Sequence, residues 1–498
     1  MTIGTDAGRT RLTRSGLLYR AAAALVLLAP PILVAVGVAA PPWMLVSLSL
    51  ALFALLWAIR LHAAPILLVF AVVLAATTVV RDQPLNVAAP VRPADSGAAL
   101  ARTWSDAGAF DTTLPIVVHI ILDELTAPGA VDAGLPGGAA FAARLRDFGR
   151  DEGFRTFDSI YARHALTHHG IANLVNAEYE GRSASFELSA RLVPALEENA
   201  YFRDMAARGY RTAVFQSAVL DYCASADVDL CETFPSYDPA AGDQQGRDGR
   251  AGALHVWDTV LAAYQPSFLA SAGAWITRRA FGLQHRPDGV LGVANRYDVQ
   301  GFPSWFDRFG AFAARVPRGT HLFAHVLAPH SPYLLTKDCV VGGEFDSGYY
   351  LSDRFPEGAQ REQARDRYFG LYFEQATCVV DAAERLVHTL VQNPRFDDAV
   401  FLVHGDHGAR ISSGFVAEDF RRRDFVDNYG TFLAVKAPEL APGLDCTFMS
   451  LPEVVAAVLQ TGRTPVAARP PRSVLVESRA RGGAWAEYEM PVFGCAAG

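Results

Sequence analysis

The pattern of apolar and polar positions divides the chain into two parts. Near the amino-terminus stand three long apolar runs, at about 21–40, 43–59 and 65–80. Each approaches the length that spans about 30 Å of hydrocarbon. A cleaved signal peptide predicts one short apolar run and a small-residue cleavage site, not three runs in series. Arg9, Arg11, Arg14 and Arg20 precede the first run, Arg60 and His62 separate the second from the third, and Arg81 closes the group. The arginines place residues 1–20 on the cytoplasmic side. Three crossings over 21–81 then put everything after Arg81 outside. Pro30 and Pro31 predict a kink in the first span. Residues 82–114, rich in Ala, Pro, Asp and Ser with no sustained period, predict a tether.

From Pro115 the pattern becomes short apolar runs that alternate with helical periods. Ile116 to Leu122 reads as a buried strand ending at Asp123-Glu124. Phe141, Leu145 and Phe148 recur at helical spacing, and Gly153 stops that helix. Thr167 precedes a helical run through Ile171, Leu174 and Val175. Strands are expected at 212–217, 322–327, 399–403 and 431–437, with a long helix over 368–390. Residues 239–252 read as an exposed Gly-rich loop, 253–315 as mixed and aromatic-rich, and 442–498 as a short tail. Helices alternating with continuous apolar strands predict an α/β domain over 115–498, built on a largely parallel central sheet.

Composition changes this picture in two respects. A net charge of −8, with no basic face beyond the amino-terminus, argues against nucleic-acid binding. The six cysteines (223, 231, 339, 378, 446, 495) all lie downstream of the apolar runs, and none forms a CxxC pair. An even number at dispersed positions predicts three disulfides and an oxidising compartment. Proximity makes Cys223–Cys231 the first pairing expected. A two-crossing topology would put these cysteines in the cytoplasm and conflict with that.

The candidate chemistry stands at the strand ends, where open α/β sheets bind ligands. The run Ala399 to Val403 stops at His404-Gly405-Asp406-His407-Gly408. Asp406 and His407 offer oxygen and imidazole donors of the type that Zn²⁺ accepts. Asp123-Glu124 places two carboxylates at the end of a buried strand, which is costly unless they are paired, hydrogen-bonded or bound to a cation. Thr167 is placed as a helix N-cap, worth about 1 kcal/mol. The same position is where backbone N–H groups favour a phosphate, and where an activated hydroxyl could serve as nucleophile. His164, His168 and His169 crowd it. His330 lies in a stiff loop between Pro329 and Pro332, while His325 lies within a strand and reads first as a core histidine.

The order of these motifs resembles the alkaline phosphatase/sulfatase superfamily. More narrowly it resembles the membrane-anchored bacterial branch that moves phosphoethanolamine or phosphoglycerol headgroups. The resemblance covers roughly residues 115–437. THHGIANLVN, from Thr167, is similar to the nucleophile segment of that branch, GDHG to its Asp-His-Gly signature, and HVLAPHSPY to its histidine loop. It implies an alkaline-phosphatase-like sandwich fold. It also implies one divalent metal, Zn²⁺ or alternatively Mn²⁺, held by Asp123 and/or Glu124, Thr167, Asp406 and His407. His330 would bind a substrate phosphate oxygen, with His325 and His168 as further contacts, and Arg410 would act as a phosphate clamp. The implied partners are a membrane, a phospholipid or other phosphodiester donor, and a glycan or lipid acceptor, with a phospho-threonine between them.

The chain departs from the pattern in places. Gly170 and Ala172 stand where the transferases usually have Ser and Pro, and Ala409-Arg410 where many members have Glu. No downstream histidine lies between Arg410 and Lys436. No Cys or Ser lies in the C/S-x-P-x-R pattern from which sulfatases make formylglycine, which disfavours sulfate-ester hydrolysis. A phosphodiesterase or phosphatase using water as acceptor, and an inactive scaffold of the same fold, are the two other outcomes the residues allow.

Overall fold

The computed structural model describes residues 93–176, 194–217, 220–233, 290–342, 351, 355, 357–412, 420–465, 472–478 and 484–497. Residues 91–245 and 294–498 form one compact unit, and residues 1–90 with 246–293 form another. The three expected spans at 21–81 and the Gly-rich loop at 239–252 lie outside the described residues. Among the described residues, no helix is long and apolar enough to cross a membrane.

The first unit is built on strand β1 (Val117–Leu122). All six of its residues are buried, as a parallel strand covered on both faces requires. It pairs in parallel with β6 (Thr320–Val326) on one side and β7 (Val400–His404) on the other. Beyond β6 lie β4 (Arg211–Gln216) and β5 (Leu230–Thr233), both parallel. Beyond β7 come β8 (Leu433–Lys436) and β2 (Arg155–Phe157), joined by antiparallel pairings, with β9 (Gly443–Asp445) at the edge. The order is β5-β4-β6-β1-β7-β8-β2-β9, a mixed α/β sheet that is parallel through its centre.

Alternate residues of the central strands face two helix layers. Val118, Ile120 and Leu122 pack against α1 (Pro93–Asp106), α2 (Gly138–Arg146), α5 (Val290–Ala313) and α6 (Ala359–Val391). Ile121 and its row pack against α3 (Thr167–Asn176) and α4 (Ala200–Ala207). Leu402, Leu433 and Val435 pack against α8 (Leu451–Thr461), and α7 (Arg422–Tyr429) precedes β8.

Two expectations are corrected here. Residues 93–106, expected as part of a tether, form helix α1, with Ala101 and Trp104 in the core. Its apolar positions are mostly small Ala, a composition that reads as linker. Its anchor is tertiary: the Arg211 guanidinium lies 4.3 Å over the Trp104 ring, a cation–π contact. Residues 442–498, expected as a short tail, supply β9, β10 (Met449–Ser450), α8 and a hairpin of β11 (Ser473–Ser478) and β12 (Ala484–Glu489). The two- and three-residue strands carry too few positions for a period to show, but α8 is announced locally by the capping box of Ser450 with Glu453 and by Pro452 in its first turn.

All six cysteines are paired, as Cys223–Cys231, Cys339–Cys378 and Cys446–Cys495. The last two tie the loop after β6 to α6, and the segment before β10 to the carboxyl-terminal end.

Candidate active site

The carboxyl ends of β1, β6 and β7 meet at one point, and the amino-terminus of α3 faces them. Backbone crowding explains the glycines of the β7 loop. A Cβ at Gly405 would lie 2.2 Å from the Leu125 carbonyl oxygen, and one at Gly408 would lie 2.0 Å from that of Asp427. The loop can therefore turn beside β1 only if these positions lack side chains. That turn aims Asp406 and His407 inward. Asp406 Oδ1 accepts from the backbone N–H of Glu124 and of His407, each at 3.0 Å. One strand end thus orients the carboxylate of another.

Asp123, His325 and Asp406 each bring a donor atom within 4.8 Å of the others, all fully buried. Several of these atoms are orphans. Asp406 Oδ2 and both ring nitrogens of His325 lack a hydrogen-bond partner. The nearest carboxylate oxygen to His325 is Asp123 Oδ2, 3.4 Å from Nε2. Buried polar atoms are nearly always satisfied, so such a group calls for a missing partner. Two carboxylates and an imidazole are a donor set that Zn²⁺ or Mn²⁺ takes, and the residues present fit a divalent cation.

His407 stands beside this trio. Its Nδ1 lies 3.0 Å from the Gly408 carbonyl, which can only accept, so Nδ1 carries the proton and Nε2 presents its lone pair to the site. Nε2 lies 3.2 Å from both Asp406 Oδ2 and Thr167 Oγ1. Thr167 Oγ1 also lies 3.3 Å from Asp123 Oδ2 and 3.5 Å from Oδ1. A hydroxyl at the start of a ten-residue helix is thereby surrounded by acceptors, rather than capping its own backbone.

Burial and neighbouring charge set the ionisation of these groups. Burial lowers the His325 ring to about 4. Burial, then the Arg410 charge, lowers the His407 ring to about 4 as well. Both are therefore neutral near pH 7, the form that binds metal. Burial and the Asp406 charge push Asp123 well above the carboxylate range. Burial also opposes ionisation of Asp406, but the His407 and His325 rings and the Glu124 N–H outweigh it and hold Asp406 at about 2. The two carboxylates hinder each other's ionisation, as like charges at one site do.

Glu124 turns the other way. Its Oε1 accepts from Arg410 Nε at 2.9 Å and from Arg410 Nη2, and its Oε2 accepts from the Ser331 N–H at 3.2 Å. Arg410 Nη1 donates to the Ala165 carbonyl at 2.8 Å, and Nη2 lies 3.2 Å from His330 Nε2. Of the two adjacent carboxylates, only Asp123 joins the donor trio, while Glu124 and Arg410 form a buried ion pair. Arg410, expected as a phosphate clamp, is engaged with Glu124 and with the Ala165 carbonyl ahead of α3. Both residues have left-handed backbones, with φ of 66° for Glu124 and 55° for Arg410. Non-glycine residues hold that region only where surrounding contacts impose it, and such positions cluster at functional sites.

His330 is reached through α6. Gln375, fully buried, accepts from the N–H groups of Leu334 and Leu335 at 2.7 and 3.0 Å, and donates to the carbonyls of Pro329 and His330 at 3.0 and 2.9 Å. One amide therefore shapes the loop. Gln375 was missed in the sequence because it is one polar residue on a long helix face. His168 is half-buried, and its ring is lowered to about 4 by burial first and then by His169, Arg410 and His407. Its ring centre lies 4.2 Å from that of His169, and Trp485 of β12 packs against His164 and His169. The carboxyl-terminal hairpin thus reaches the wall of the site, which no local signal announced.

No sequence-family model matches this chain, and no curated protein matches it. Among solved structures it is similar to the carboxyl-terminal periplasmic domain of EcEptC from Escherichia coli, in complex with Zn, at 12% identity and a TM-score of 0.40, over 77% of this chain and 94% of that one. It is similar to the phosphonate monoester hydrolase SpPMH from Silicibacter pomeroyi at 16% identity and a TM-score of 0.37, over 73% and 79%. A 2-O GAG sulfatase, BT1596, matches at 12% identity and a TM-score of 0.42, over 73% and 78%.

Proposed function

We propose that this chain is a metal-dependent, membrane-anchored phosphoryl-headgroup transferase of the alkaline phosphatase/sulfatase kind, acting on a phosphodiester through Thr167. The observation that carries this is the placement of Thr167 Oγ1, within 3.3 Å of Asp123 Oδ2 and of His407 Nε2, beside the orphaned donors of Asp406 and His325. Asp123, Asp406, His325 and His407 would hold the cation, with Thr167 Oγ1 next to it. When bound, such a cation stabilises charge on a phosphoryl oxygen and lowers the proton affinity of a neighbouring hydroxyl.

The protein's own residues supply the rest. The Thr167 hydroxyl faces Asp123 Oδ2, and that carboxylate would take its proton as the oxygen bonds to phosphorus and hand it to the leaving alkoxide as the old P–O bond breaks. The N–H groups that open α3 face the phosphoryl oxygens. His330, held by Gln375, closes the opposite side. The phospho-threonine is then attacked by an acceptor hydroxyl of a glycan or lipid. A lipid donor suits a domain tethered after residue 81, and three disulfides suit an extracytoplasmic compartment.

The test is metal binding together with covalent trapping. Purified protein should take up close to one equivalent of Zn²⁺, and incubation with a lipid carrying labelled headgroup phosphate should leave label on the peptide containing Thr167. Asp406→Asn should lose the metal and turnover while remaining folded. Label released only to water would make the enzyme a hydrolase. No metal and no label would leave a scaffold.

A further inference from the structure

Behind the donor trio, the sheet face toward α3 and α4 carries three further buried histidines where a parallel sheet would ordinarily carry Val or Ile. They are His119 on β1, His321 on β6 and His404 on β7, each with no exposed surface. The register places His404 opposite Ile121, which is also opposite His325, so this row ends at the active site. The three rings are joined through Tyr201 of α4. His119 Nε2 lies 2.6 Å from His404 Nε2, and His119 Nδ1 lies 3.2 Å from the Tyr201 hydroxyl. The Tyr201 hydroxyl lies 2.8 Å from His321 Nε2, and His321 Nδ1 lies 3.2 Å from Thr212 Oγ1.

The direction of every one of these hydrogen bonds follows from its last member. His404 Nδ1 lies 2.6 Å from the Gly405 carbonyl, which only accepts. Nδ1 therefore carries the proton and Nε2 is a lone pair. His119 must then donate from Nε2, which leaves its Nδ1 to accept from the Tyr201 hydroxyl. The Tyr201 oxygen accepts from His321 Nε2, and His321 Nδ1 accepts from the Thr212 hydroxyl. Each ring is used as donor once and acceptor once, as neutral imidazole allows.

We infer that His119, Tyr201 and His321 are positioning residues that reinforce the tautomer of His404 set at the Gly405 carbonyl, and thereby hold the peptide that carries Asp406. The Gly405 peptide is held at both ends, by its N–H to the Phe432 carbonyl at 3.0 Å and by His404 at its carbonyl. If the chain is cut, His119 is free to place its proton on Nδ1. Two lone pairs then oppose each other between His119 and His404, and relief requires His404 to move its proton to Nε2. The Gly405 carbonyl loses its donor and the Asp406 turn loosens. Groups that hydrogen-bond to metal ligands and orient them typically change metal affinity by about 10–100-fold when removed. The Tyr201 hydroxyl is bonded to His119 and His321 and not to a member of the trio, so its effect on metal is expected to come through the chain.

This inference rests on the metal assignment above, and its test separates the two. In ¹⁵N-histidine-labelled protein, long-range proton–nitrogen correlations report which nitrogen of each ring carries hydrogen. Wild type should show His404 protonated at Nδ1, and His119 and His321 at Nε2. Tyr201→Phe should shift the His404 nitrogen signals and weaken Zn²⁺ binding by about tenfold or more, measured by competition with a chelating dye, while the melting temperature changes by only a few degrees. Wild-type His404 protonated at Nε2 overturns the inference, whether or not the variant folds. A variant that binds Zn²⁺ as tightly as wild type overturns it alone. A wild type that binds no Zn²⁺ overturns the metal assignment and this inference with it.

Discussion

Thr167 is where a cap and a nucleophile would look the same in sequence and differ in consequence. Its hydroxyl faces Asp123 and His407. Thr167→Ala should therefore abolish turnover by several orders of magnitude while the melting temperature falls by only a few degrees, because a lost side-chain hydrogen bond costs about 1 kcal/mol. Thr167→Ser should keep partial turnover. Turnover near wild type in the Ala variant would reduce Thr167 to a structural residue. Arg410 makes the opposite prediction. Its partner Glu124 is buried, and a buried charge that loses its counter-ion costs about 3–5 kcal/mol. Arg410→Met should therefore show a large loss in urea unfolding midpoint as well as lost activity. A variant of wild-type stability would mean that the Glu124–Arg410 pair does not hold the domain together.

At the scale of elements, the site is only as firm as the helices behind the sheet. On α5, Phe302, Trp305, Phe306, Phe309 and Phe312 are buried at helical spacing, with Phe309 and Phe312 both packed on Phe215 of β4. Removing Phe309, fully buried, leaves a cavity that a packed core only partly closes. Phe309→Ala should cost about 3–5 kcal/mol in denaturant unfolding. If the loss were below about 1 kcal/mol, α5 would not be part of the cooperative core. The residues after 442, which read as a tail, include α8 and the β11–β12 hairpin, and Trp485 of that hairpin packs on His164 and His169.

For the whole molecule, the expectations are a crossing of the membrane three times before residue 82 and an oxidised domain after it. Thiol labelling of denatured, unreduced protein should find no free cysteine, since all six are paired. Six reactive thiols would contradict the pairing. A reporter fused after Gly498 should be active only outside the cytoplasmic membrane. Cytoplasmic activity would overturn the three-crossing topology, and with it a lipid donor reached from the outer face.

The sequence by itself determined the alternation of buried strands with helices, because a parallel strand covered on both faces needs an unbroken apolar run. It also placed Asp123, Thr167, His330, Asp406 and His407 at strand ends and a helix start, because a polar residue that closes an apolar run is costly to bury unless it finds polar partners or a cation there. Which of them face one another was decided only by tertiary structure. Asp123 and Glu124 are adjacent and alike in chemistry. They part because Arg410, 286 residues from Glu124, draws one away and leaves the other to His325 and Asp406. His325, which reads as a core histidine, joins the donors because β6 lies beside β1 in a register that sequence does not show. The same holds for His119, His321 and His404. Each alone is a polar interruption of a strand, and only the pairing of three strands under Tyr201 turns them into one chain of hydrogen bonds.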